Sequence, residues 1–172
     1  MHRVRILSQF LGSCLKATVF IDFHINKSQG GCMGKINLGR VILGGIIAGV
    51  VADILGFLVD GLLLAPIWTE QMHRLGHSEV STNQIILFNL LGLVCGIALI
   101  WIYAAIRPRF GAGVKTAVFA GLAVWVVGVL IPNLSFMWVT GLFGRRLTSY
   151  TTACGLVEIV VAAIAGAAVY KE

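Results

Sequence analysis

The stretch Val41–Pro66, VILGGIIAGVVADILGFLVDGLLLAP, constrains the chain more than any other. It is apolar, long enough to cross a bilayer, and carries two aspartates, Asp53 and Asp60. At about 1.5 Å per residue, a helix of this length spans a hydrocarbon core of about 30 Å with some tilt. At about 100° per residue, Gly45, Gly49, Asp53, Gly56 and Asp60 share one stripe about 80° wide. A small, polar stripe on an otherwise apolar helix faces protein rather than lipid, and Gly45-xxx-Gly49 lets a second helix approach closely. A central Asp costs about 2.5–3.5 kcal/mol on insertion, whereas each Val, Ile, Leu or Phe returns only about 0.3–0.6 kcal/mol. The helix can insert, but its aspartates require partners.

The rest of the 172 residues fits the same solvent. Hydrophobic residues make up 58% of the chain and charged residues 12%, against about 25% charged in soluble domains. The predicted fold class is all-α, an integral membrane bundle of four transmembrane helices. The net charge of +6 is read as anchoring on the cytoplasmic side rather than nucleic-acid binding. No basic run with interleaved aromatics suggests a nucleic-acid surface, and no P-loop or dinucleotide glycine fingerprint is present. Cys14, Cys32, Cys95 and Cys154 form no CxxC, so neither a disulfide framework nor a zinc site is expected. No cofactor is expected, and no catalytic residues are assigned.

In chain order, residues 1–32 read as a poorly ordered extension. His2, Arg3 and Arg5 resemble a signal n-region, but Ser8, Gln9 and Lys16 break the apolar run that follows. Met33-Gly34-Lys35-Ile36-Asn37 looks like a natural start. The four-helix domain then covers 33–172, with spans at about 41–65, 85–106, 116–131 and 150–170 (boundaries by hydropathy and length). Pro66 and Trp68 mark an interface, with a short surface helix over Thr69–Leu75 closed by Gly76. Ser81-Thr82-Asn83-Gln84 has capping-box spacing and opens the second helix. That helix carries Gly92-xxx-Gly96 and one strongly polar residue, Asn89. The third helix is expected to stop before Pro132, with Asn133–Ser149 lying as an interfacial loop. On the fourth, Gly155, Glu158, Ala162 and Gly166 fall along one side.

Counting basic residues at the two ends orients the bundle. With the N-terminus inside, Lys35, Arg40, Arg107, Arg109, Lys115 and Lys171 are cytoplasmic, while Arg74, Arg145 and Arg146 are outside. The excess favours both termini inside.

The intramembrane polar residues are the candidate sites. Rise per residue places Asp53 and Glu158 at one depth, each about 12 Å below the outer face, where as neighbours they would share one proton. Asp60 and Asn89 fall near the outer ends of their helices, within reach of a cross-helix hydrogen bond. As a ladder, Asp60, Asp53 and Glu158 would conduct protons or cations. As clips, each would contribute about 0.6–2 kcal/mol to helix association. Gly45, Gly49, Gly56, Gly92 and Gly96 are expected to pack helices, inside the bundle or against a second copy. Glu70, His73 and His77 share one helical face and form a weak candidate metal set.

Ile36-Asn37-Leu38-Gly39-Arg40 opening onto Val41–Gly49, Ala104-Ala105-Ile106-Arg107-Pro108-Arg109-Phe110-Gly111, Gly155-Leu156-Val157-Glu158 and the terminal Tyr170-Lys171-Glu172 carry a resemblance. From Met33 to Glu172 the chain is similar to small bacterial four-span inner-membrane proteins of uncharacterised function. The resemblance implies a plasma (bacterial inner) membrane location and no known activity, and it transfers no functional residue.

Three readings follow. The first is a structural or interaction component of the membrane, partnered by the bilayer and by a second copy or another membrane protein. The second is a small proton-linked carrier using Asp53, Asp60 and Glu158. The third is a membrane enzyme with a metal at the outer loop.

Overall fold

The computed structural model of the chain describes residues 36–77 and 81–170. The expected extension, residues 1–32, lies outside the described residues, as do Cys14 and Cys32. The described residues are all-α, without strands. Four helices are long and apolar enough to cross a membrane: α1 (Leu38–Leu63), α3 (Thr82–Phe110), α4 (Val114–Val139) and α5 (Arg145–Val169). A shorter α2 (Ala65–Arg74) joins the first two. At 26 residues, α1 is about 39 Å long, more than the hydrocarbon core requires. The protein is a multi-pass membrane bundle.

Local chemistry sets the helix ends. The Asn37 side chain accepts from the Arg40 amide at 3.2 Å and starts α1. Ser81 and Gln84 form the expected capping box: the Ser81 amide donates to Gln84 Oε1 at 2.9 Å, and the Gln84 amide donates to Ser81 Oγ at 3.4 Å. Gly76, at φ 74°, ends α2. The His77 amide donates to the Met72 carbonyl at 3.0 Å and the Gly76 amide to that of His73 at 3.1 Å, the paired bonds of a Schellman stop.

Helix α1 packs against α3 and α5, and α4 packs against α3 and α5, so the four spans close into an up-down-up-down ring. Helices α3 and α5 also touch across its middle. One end of the bundle, here the basic end, carries Arg40, Arg107, Arg109 and Lys115; the other carries α2 and the α4–α5 turn. The tightest packing lies towards the basic end. There Ala48, Ile100, Ala117, Ala120, Ala162 and Ala163 are wholly buried. A Cβ on Gly166 would lie 2.6 Å from the Gly44 carbonyl oxygen, and one on Gly49 would lie 2.7 Å from Leu93 Cα. Gly45 and Gly96 bring the α1 and α3 backbones into direct contact. Of the expected glycine pairs, Gly45, Gly49 and Gly96 are buried where α1 meets α3. Large apolar side chains point outward instead: Phe88 is 71% and Val139 82% exposed, which suits lipid as the solvent.

Three expected boundaries are corrected. The third span does not stop at Ile131 but continues through Pro132 to Val139. The Val126–Leu130 turn ahead of the proline is a π-turn, with the Ile131 amide reaching back to the Val126 carbonyl. This wider turn accommodates a residue that lacks an N–H and crowds the preceding turn. Most of the expected loop at Asn133–Ser149 is consequently helical: α4 extends to Val139, a turn at Gly141 (φ 64°) follows, and α5 begins at Arg145. Helix α3 likewise runs past Ile106 and through Pro108, ending at Gly111 with φ 83°.

Candidate functional site

The polar side chains inside the spans collect in the half of the bundle nearer α2. They form three groups, each held by a different pair of elements.

Asp60 lies in a π-turn, Phe57–Leu63, that ends α1. Its Oδ1 accepts from the indole Nε1 of Trp68 at 3.1 Å. Trp68 is on α2, and its ring meets Phe143 edge-on at 5.9 Å; Phe143 meets Phe136 in the same way at 5.6 Å. Gln71, one turn further along α2, donates to the Leu142 carbonyl at 3.0 Å and accepts from the Gly144 amide at 3.2 Å. Helix α2 is thus pinned to α1 by one side chain and to the α4–α5 turn by another. Glu158 reaches over from α5. Its Oε2 faces Gly56, 4.0 Å from where a Cβ would stand.

A second group ties α4 to α5. The Asn133 amide donates to Thr151 Oγ1 at 3.2 Å and to Thr152 Oγ1 at 2.9 Å, and the Trp125 indole donates to the Thr152 carbonyl at 3.0 Å. Both threonine hydroxyls in turn donate within α5, Thr152 to the Thr148 carbonyl at 2.6 Å and Thr151 to that of Leu147 at 3.1 Å. The Asn133 amide therefore supplies the protons these hydroxyls lack as acceptors.

The third group lies between α1 and α3. Asp53 sets its carboxyl against the backbone of Gly92, where a Cβ would collide with it. Beside it is a groove of about 370 Å³ lined by Val50, Asp53, Ile54, Phe57, Leu58, Asn89 and Leu93. Asn89 is exposed there, donating from Nδ2 to the Ile85 carbonyl of its own helix at 2.8 Å.

The Asp60–Asn89 pair expected from the sequence does not form: Asp60 bonds Trp68, and Asn89 shares a groove with Asp53. The physical reason is the π-turn. An i→i+5 turn holds more residues than an α-turn, so beyond Gly56 the side chains no longer advance by about 100°. Asp60 leaves the stripe it would share with Asp53 and bonds Trp68 of α2.

The outer-loop metal set is not assembled. Glu70 is paired with Arg74 at 2.6 Å, and Gly76 leads the chain out of the helix before His77. Among the described residues, no group of three His, Cys, Asp or Glu side chains is placed to hold a metal. Cys95 and Cys154 are free thiols.

Several contacts escaped the sequence reading. Trp68 reads as an interfacial anchor, and its indole bond to Asp60 depends on how α2 folds back after Pro66. Asn133, following Pro132, reads as a loop residue, and its bonds to α5 depend on α4 running through the proline. At the basic end, Tyr103 and Tyr170 meet edge-on at 5.9 Å, Arg107 lies 5.5 Å above the Tyr170 ring, and the Gly113 amide donates to the Tyr103 hydroxyl at 3.3 Å. Between that cluster and Asp53 or Glu158, the described spans carry no Asp, Glu, Lys, Arg or His.

Comparison of the chain with protein-family models, with curated proteins and with solved structures finds no match.

Proposed function

We propose that this protein is a non-catalytic structural or interaction component of a bacterial inner membrane, with both termini in the cytoplasm. The observation that carries the reading is the contrast between the two halves of the bundle. Near α2 the polar side chains fasten one element to the next; between Asp53 and the Tyr103–Tyr170 cluster the helices meet through glycine and alanine. A polar group that bonds a neighbouring helix stabilises a membrane bundle by about 0.6–2 kcal/mol. That role needs no relay across the bilayer, and the carboxyls have no described ionisable relay towards the basic end. Orientation rests on the basic excess at that end.

A proton-linked carrier is the second reading, favoured by one observation: Asp53, Asp60 and Glu158 all lie within the spans. Proton flux into liposomes holding the full chain separates the two. The interaction reading expects none above that of empty liposomes. Flux that Glu158→Gln abolishes would replace it with the carrier.

A further inference from the structure

The groove between α1 and α3 combines two features that do not suit lipid. Val50, Ile54, Phe57 and Leu58 on its wall are exposed, so it opens on the outside of the bundle. Yet it holds a carboxyl, Asp53, and a carboxamide, Asn89. Among the described residues no hydrogen bond or ion pair engages the Asp53 carboxyl; its neighbour is the Gly92 backbone. Asn89 uses one amide N–H on the Ile85 carbonyl, which leaves its second N–H and its carbonyl oxygen free to bond. Acyl chains offer neither a donor nor an acceptor, and polar groups within a membrane seek protein partners.

We propose that a second copy of this chain docks on this groove, about a two-fold axis along the membrane normal. The proposal rests on the interaction reading above and supplies its partner. The geometry selects the occupant. Helices α1 and α3 are adjacent, and a two-fold axis in front of two adjacent helices sets the first of each copy opposite the second of the other. Asp53 then faces Asn89 of the partner subunit, and Asn89 faces the partner's Asp53. In each pair the carbonyl oxygen of a protonated Asp53 carboxyl accepts the free Asn89 N–H, and its O–H donates to the Asn89 amide oxygen. Two equivalent pairs form, and no charge is left in hydrocarbon. A foreign helix would need to present the same complementary groups at the same depth; this chain already has both, on neighbouring helices. The exposed Ile54, Phe57 and Leu58 supply apolar contact around the pairs.

Single-molecule photobleaching of the full-length chain, singly labelled, in liposomes of falling protein-to-lipid ratio tests this. Two-step bleaching that gives way to one step on dilution is expected. Asp53→Leu and Asn89→Leu should each lower the association constant by about tenfold, and the exchange Asp53→Asn with Asn89→Asp should restore it. The exchange also answers for folding, since it keeps one carboxyl and one carboxamide in the groove. Single-step bleaching at every density overturns the proposal and means that lipid, another part of the chain or a different protein covers the groove. So does a dimer that both leucine variants leave unchanged, or an assembly of three or more. None of these results touches the interaction reading, which falls only to proton flux that Glu158→Gln abolishes.

Discussion

Trp68 donates its indole N–H to Asp60 at 3.1 Å, and this bond fixes α2 to the last turn of α1. An aspartate near the end of a membrane span is thereby given a partner from outside the span, while the tryptophan ring stays packed on Phe143. The rest of the polar network near α2 follows the same logic, with a side chain from one element completing the hydrogen bonds of the next.

Replacing Trp68 with Phe keeps the ring contact and removes the donor. Unfolding in mixed micelles should show a loss of about 0.6–2 kcal/mol. Asp60→Asn, which still offers a carbonyl oxygen to the indole, should lose less. Equal losses in the two variants would mean that the indole bond contributes nothing of its own.

Gly166 and Gly128 form a matched contrast. A Cβ at Gly166 would stand 2.6 Å from the Gly44 carbonyl oxygen and 2.8 Å from Ala48 Cβ, whereas one at Gly128 meets nothing within 4 Å. Gly166→Ala should destabilise by about 1–3 kcal/mol through overpacking. Gly128→Ala should be neutral or stabilise by up to about 1 kcal/mol, because alanine favours the helix. The same unfolding measurement reads both, and a stable Gly166→Ala bundle would show that α1 and α5 can part at no cost.

The Asn133–Thr152 pair gives a double-mutant cycle across α4 and α5. Asn133→Ala and Thr152→Val remove one partner each, and the 2.9 Å bond between them should give a coupling of about 0.6 kcal/mol, at most about 1.7. Additive losses would place the two side chains apart in the bilayer and return Asn133 to a loop.

Glu70, His73 and His77 should be indifferent to metals. His73→Ala should change stability by no more than about 0.5 kcal/mol, and a chelator should leave the unfolding midpoint where it is. A zinc-dependent rise in the midpoint that His73→Ala removes would restore a metal at this loop.

Much of the fold is legible in the residues themselves. Four apolar runs of membrane length, the capping box at Ser81 and Gln84 and the stop at Gly76 depend on composition and on contacts a few residues apart. These are local quantities, and local physics decides them. The glycines at positions 45, 49, 92 and 96 were also readable as close-packing positions, because no side chain allows two backbones to approach as nearly.

What only the tertiary structure decided is where each helix stops behaving as an ideal α-helix, and therefore what each carboxyl faces. The π-turn at Phe57–Leu63 turns Asp60 from the α3 side towards Trp68, and leaves Asp53 in a groove with Asn89. The π-turn at Val126–Leu130 carries α4 through Pro132 and brings Asn133 onto Thr151 and Thr152. Neither turn follows from a fixed 100° step. Each depends on what the neighbouring helices offer in exchange for a regular hydrogen bond. In lipid, where every backbone group must find its partner within the protein, that exchange is settled by the packed bundle as a whole.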